Sequence, residues 1–238
     1  MKKNIILLII KFFDYFHQKK ILKFLKEKKK ISNFDTLIDV GAHLGETIEI
    51  YSKNFKIKKI YSFEPNIKNY KILKNKNFGN PNITIENIAL GSNNTSVVIK
   101  QMQESSSSTI KDINENSKYF KRKKKLLFND NLNIHVDQKI TQFTLAKYVR
   151  EKKINKIDFL KIDTEGYEFD VLKGANEILN TISLVIFEHH YDDMIKKGYK
   201  FKDIHKYLLI NNFTQVFKIK MPFRKTFEYI YENKKKKY

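Results

Sequence analysis

The feature that most constrains this chain is a series of short apolar runs, each stopping at a glycine or a carboxylate, with helical spacing between them. Thr36–Val40 stops at Gly41, Lys59–Phe63 at Glu64, Ile157–Ile162 at Asp163 and Ser183–Phe187 at Glu188. Short, mostly apolar runs of this kind suit strands buried on both faces. Between them, Gly45–Phe55 places Ile48, Ile50, Tyr51 and Phe55 at helical spacing, and Asn66 is positioned to cap a helix carrying Ile67, Tyr70, Ile72 and Leu73. Ile83–Leu90 reads as a third strand, and Thr144–Lys152, Tyr167–Leu179 and Phe201–Ile210 as further helices. Phe213–Ile219 and Thr226–Tyr231, around Met221-Pro222, form an expected closing antiparallel hairpin.

Strands alternating with helices imply an α/β fold with a mostly parallel sheet covered on both faces. Such sheets bind ligands outside the carboxyl ends of their strands. The polar residues expected there are Asp39, Gly41, Glu64, Asn87, Asp163, Glu165, Glu188 and His189.

The segment Asp39-Val40-Gly41-Ala42-His43-Leu44-Gly45 follows the first strand and opens the first helix. Gly41 permits a sharp turn, Ala42 and Gly45 keep the backbone close to a ligand, and the helix start offers N–H groups to an anion. It is not the spaced G-x-G-x-x-G of a dinucleotide site. A tight turn with no ligand is the plainer reading. Glu64 tips the balance, because an acid at the end of the second strand suits a ribose diol. Its plainer reading is an exposed loop acid.

Leu37-Ile38-Asp39-Val40-Gly41-Ala42, Phe63-Glu64-Pro65-Asn66, Ala89-Leu90-Gly91 and Lys161-Ile162-Asp163-Thr164-Glu165-Gly166-Tyr167-Glu168 occur in this order. With Val171-Leu172-Lys173-Gly174-Ala175 and Ile186-Phe187-Glu188, they resemble the successive motifs of the FkbM methyltransferases from about Thr36 to Asn212. The resemblance implies a Rossmann-like class I methyltransferase fold, S-adenosylmethionine as cofactor and O-methylation of a small molecule or a sugar. It implies that Asp39, Gly41, Ala42, His43 and Gly45 line the methionine end of the cofactor. Glu64 would take the ribose, Asn87, Ile88 and Ala89 would flank the adenine, and Asp163 would face the reaction centre. His43 departs from the asparagine frequent in the family, and Ser92–His135 matches poorly.

Asp163, Glu165, Glu188 and His189 are the candidate acids and bases for the acceptor's proton. Asp163 leads, with Glu165 and Glu188 expected to raise its proton affinity. The same carboxylates are also of the type that holds Mg²⁺. Glu165 has a structural alternative at its helix start, and His189 and His190 have one as loop residues.

Residues 1–35 read as an amphipathic helical extension and 36–238 as the methyltransferase domain, with an insertion or mobile lid at about 92–135. That insertion holds the serine run Ser105–Ser108 and the basic cluster Lys121–Lys125. A chain starting near Ser32 is expected to fold and bind cofactor. The extension has three expected uses: capping its own domain, pairing with another subunit, or peripheral contact with a membrane surface. Its apolar run Ile5–Ile10 is too short to span a bilayer. The expected location is the cytoplasm.

The formal net charge is +21, yet the only arginines are Arg122, Arg150 and Arg224. Nucleic-acid readers favour arginine for bidentate contacts. An abundance of Lys, Asn and Ile, all with A/T-rich codons, is the preferred explanation of the charge. The expected acceptor is therefore a small molecule or glycan; a nucleic acid is the enzymatic alternative, and a non-catalytic binding protein the other.

Overall fold

The computed structural model describes residues 2–102, 108–127 and 135–236. The serines at 105–107 lie outside the described residues. The chain opens with helix α1 (Lys2–Lys23), continued by a wider helical turn at Phe24–Lys28. Then follow β1 (Asn33–Val40), α2 (Glu46–Asn54), β2 (Lys56–Phe63), α3 (Ile67–Lys76), β3 (Ile83–Glu86), β4 (Ala89–Leu90) and β5 (Thr95–Met102). The middle of the chain contributes β6 (Asp112–Ile113), α4 (Lys118–Leu127), β7 (His135–Phe143) and α5 (Leu145–Glu151). The remainder is β8 (Ile157–Ile162), α6 (Glu168–Gly174), β9 (Ile182–His190), β10 (Ile195–Lys196), α7 (Phe201–Ile210), β11 (Phe213–Lys220) and β12 (Thr226–Asn233).

Seven strands form the main sheet in the order β11-β12-β9-β8-β1-β2-β3. β3, β2, β1, β8 and β9 are mutually parallel, and the β11–β12 hairpin runs antiparallel against β9. The chain leaves β1 towards β2 on one side and reaches β8 on the other, so a topological switch point lies at the carboxyl end of β1. Every residue of β8 and β9 is buried, which explains their mostly apolar character.

The sequence places most elements correctly, and three differences bear on function. The expected third strand breaks after Glu86. Asn87 turns its side-chain amide onto the carbonyls of Glu64 and Pro65, at 2.8 and 3.0 Å, and β4 joins a different sheet. β9 runs on to His190 instead of stopping at Phe187, because β12 pairs with it through Thr226. The stretch 92–135 is not irregular among its described residues: β5 pairs antiparallel with β7 along Thr95–Met102, and α4 packs Phe120 against Met102, Met194 and Ile195.

The end of α1 is seated in the core. Ile21 and Leu25 are fully buried in one apolar cluster with Leu22, Phe34, Tyr51 and Phe159. His17, also buried, bonds to Glu228 on β12. Burial of each large aliphatic side chain is worth roughly 1.5–3 kcal/mol. Losing Ile21, Leu22 and Leu25 together therefore removes a sum comparable to a whole domain's stability of about 5–15 kcal/mol. A chain beginning at Ser32 is expected to be insoluble or to lack a cooperative melt by circular dichroism. A melting temperature equal to that of the full chain would mark α1 as accessory.

Candidate active site

β1 delivers the chain to Gly41, which sits at φ +85°. A Cβ there would lie 1.8 Å from the carbonyl oxygen of Asp163, so only glycine lets the ends of β1 and β8 touch. The N–H groups of Gly41 and Ala42 both donate to the Phe63 carbonyl at 3.0 Å, and that of Asp163 donates to the Val40 carbonyl at 2.9 Å. These bonds fasten the ends of three neighbouring strands to one another.

Glu64 is buried at the end of β2. Its Oε2 accepts from the His43 N–H at 2.7 Å and its Oε1 from the Asn66 N–H at 2.9 Å. Asn66 in turn caps α3, accepting from the N–H groups of Lys68 and Asn69. Burial pushes the Glu64 carboxyl up to about 7, against the pull of the Asn66 and His43 N–H groups. Each oxygen keeps accepting capacity beyond its one backbone bond.

The loop leading into α2 (Glu46–Asn54) uses its own N–H groups within the chain. The Leu44 N–H donates to Glu46 Oε2 at 3.1 Å, the Gly45 N–H to the Ala42 carbonyl at 2.9 Å, and the His43 N–H is taken by Glu64.

A pocket open to solvent lies over these strand ends. Gly41, His43, Glu64, Asp163, Thr164 and Glu165 supply its polar side. Phe63, Pro65, Ile88, Ala89, Leu90, Ile99 and Ile110 make an apolar slot. Ile99, Ser108, Thr109 and Ile110 come from the stretch 92–135, so that segment walls the cavity. Among the residues anticipated from sequence, Gly41, His43, Glu64, Ile88, Ala89, Asp163 and Glu165 meet here. Asp39, Ala42, Gly45, Asn87, Glu188 and His189 stand outside the lining. Asp39 is fully buried in β1, in register with Lys161; Ala42 joins the core cluster of α1 and β1; a Cβ on Gly45 would meet Leu73.

The acid–base cluster differs from expectation in two respects. First, Asp163 does not gain proton affinity. Burial alone would raise its carboxyl, but the Lys161 ammonium 3.0 Å away, with His190 and His43, holds it below the usual carboxylate range. Burial likewise disfavours charge on Lys161, yet Asp163, Asp39 and Glu228 keep it an ammonium. Glu188 moves the other way: burial and the nearby Asp163 raise it.

Second, β9 turns His189 away from the cluster. Side chains alternate along a strand, so Glu188 and His190 share one face and His189 takes the other. His190 Nε2 lies 3.1 Å from Glu188 and 3.3 Å from Glu165, and its Nδ1 lies 3.1 Å from the Thr226 hydroxyl. His189 packs against the rings of Tyr191, Tyr199 and Phe201. Lys161 and His190 are thus members of the site that residue type alone did not single out. The signals were present: a lysine within a wholly buried strand, and the two-residue period from Glu188.

Glu165 is presented by a strained loop, with φ +50° at Glu165 and +92° at Gly166. The fully buried Glu168 holds that loop, accepting from the Gly166 N–H at 2.8 Å and from Thr164 and Tyr199. Among the described residues, no three Asp, Glu or His side chains are grouped to hold a metal ion.

A model of the FkbM methyltransferase domain matches residues 39–215. The chain belongs to the FkbM methyltransferase family. A solved FkbM methyltransferase from Methylobacillus flagellatus is 16% identical, with a TM-score of 0.55. The match covers 85% of this chain but only 44% of that one, so this chain spans less than half its length. TrmK from M. capricolum, solved with S-adenosylhomocysteine, is 14% identical with a TM-score of 0.50 over 92% of this chain and 68% of that one. These likenesses show the Rossmann-like fold of class I methyltransferases. No curated protein matches the chain in sequence.

The two histidines are expected to titrate apart. Burial works against a charged His190, but Glu165, Asp192 and Glu188 outweigh it and lift its proton affinity well above the ordinary value. Burial, with the charges of Lys197 and His190, pushes His189 down to about 4. Nitrogen NMR at pH 7 should show a cationic His190 and a neutral His189. The stabilisation from charged His190 is complete below its unfolded value and is lost as pH rises through its elevated folded one. Two rings titrating together near 6.5 would contradict this placement.

Proposed function

We propose that the chain is an S-adenosylmethionine-dependent methyltransferase acting on a hydroxyl of a small molecule or a sugar. The observation that carries the reading is that Glu64 and Asp163, from the ends of two different strands, face one cavity with an apolar slot beside them. Ile88, Ala89, Leu90 and Ile99 suit an adenine ring, and Glu64 suits the ribose hydroxyls. Gly41, Thr164 and Asp163 suit the methionine end, where the Asp163 carboxylate favours the cofactor's positive charges. The bound cofactor supplies an activated methyl group.

The chain's own residues then position the acceptor and take its proton. Asp163, paired with Lys161, orients the hydroxyl. Glu188, whose proton affinity is raised, takes the proton, and His190 fixes its carboxylate. His189 has no part in this scheme. A nucleic-acid acceptor is the second reading, favoured by the exposed cations Lys118, Lys121, Arg122 and Lys125 on α4. It requires tight RNA binding at physiological salt; weak binding that collapses as salt rises leaves only counterion release from a basic surface.

Calorimetry with S-adenosylmethionine tests the reading. Glu64→Ala should weaken binding by about 1–3 kcal/mol, and Ile88→Trp should block the slot while leaving the strand-end bonds intact. With an acceptor sugar, Glu188→Gln should slow S-adenosylhomocysteine release at least about a hundredfold with cofactor affinity nearly unchanged. No binding by the wild type would sink the cofactor assignment, and full turnover by Glu188→Gln would remove Glu188 as the base.

A further inference from the structure

The outward side of α1 carries a feature that the methyltransferase reading does not use. Phe12, Tyr15 and Phe16 are exposed by 58%, 56% and 45%. They form a continuous ridge: Phe12 meets Phe16 at 4.9 Å between ring centres, Phe16 meets Tyr15 at 5.6 Å, and Phe12 meets Phe13 at 5.5 Å. The β11–β12 turn extends it. Phe223, 78% exposed, packs its ring against Phe13 at 4.9 Å and sits at φ +60°. A bulky side chain at positive φ is costly, so the turn spends backbone energy to hold an aromatic ring in solvent beside the helix.

The inner side of the same helix is fixed. Asp14 pairs with Arg224 at 2.9 Å and His17 is buried against Glu228, so the ridge cannot roll inward. A contiguous exposed aromatic patch of this kind marks an interaction surface. Its borders are cationic: Lys19, Lys20 and Lys23 follow on α1 and Lys225 follows Phe223, all exposed, with Lys19 lying over the Tyr15 ring at 4.6 Å. The nearby acids are already neutralised, Asp14 by Arg224 and Glu27 by Lys23.

We propose that this aromatic ridge docks the protein on an anionic lipid bilayer. The charge pattern chooses the partner. A second copy meeting this face would bring like-charged lysine borders together on a chain of net charge +21, whereas acidic headgroups complement them. Rings inserted at the headgroup level and lysines at the rim are the combination that interfacial helices use. Among the described residues no helix is long and apolar enough to cross a membrane, so the contact lies at the surface.

The test is sedimentation of the full chain with vesicles of phosphatidylcholine alone and of phosphatidylcholine with phosphatidylglycerol in equal parts. The chain should bind the mixed vesicles and be nearly absent from the neutral ones. Phe12→Ser combined with Phe223→Asn should weaken binding at least tenfold, with an unchanged melting temperature because both rings are exposed. Lys19→Glu with Lys20→Glu should remove the preference for acidic lipid. Binding unaffected by the aromatic pair would overturn the proposal. So would a soluble dimer, seen by light scattering, that the aromatic substitutions dissociate.

Discussion

The buried ammonium of Lys161 is the interaction on which the rest of the molecule depends. It lies on a central strand whose every residue is buried, and its charge is held by Asp163, Asp39 and Glu228. Those three carboxylates belong to the active cavity, the first strand and the closing hairpin. Glu228 also bonds to the buried His17, which ties α1 to β12. Removing one partner from such a network leaves uncompensated buried charge, at a cost of about 3–5 kcal/mol. The lysine therefore both stabilises the sheet and keeps Asp163 ionised.

A second constraint is steric. The contact of Gly41 with the Asp163 carbonyl brings two strand ends closer than any side chain would permit. Glu64 is fastened to the loop after Gly41 by the His43 N–H. The spacing between Glu64 and Asp163 across the cavity is thus set by backbone bonds on both sides.

Much of the fold was legible because the buried strands carry mostly apolar runs that end at the sheet's carboxyl edge. The pocket lining was legible at Gly41, Glu64 and Asp163, because each stops an apolar run at a strand end. It was less legible where pairing decides the outcome. β9 gains three residues from its partnership with β12, and only then does strand parity separate His190 from His189. The proton affinity of Asp163 was misjudged for the same reason, since the sequence shows neighbouring acids but not the lysine beneath them. The stretch 92–135 is polar along the chain, yet β5 finds its partner in β7, about forty residues on. Such long-range pairing is invisible to local periodicity.

The central claim is that Glu64 and Asp163 mark the two ends of one cofactor site. A crystal structure of the chain with S-adenosylhomocysteine tests it most directly. The account predicts ribose hydroxyls within hydrogen-bond reach of the Glu64 carboxylate, the adenine between Ile88 and Ile99, and the sulfur facing Asp163. Cofactor bound elsewhere, or seated in the cavity with its ribose away from Glu64, would contradict it.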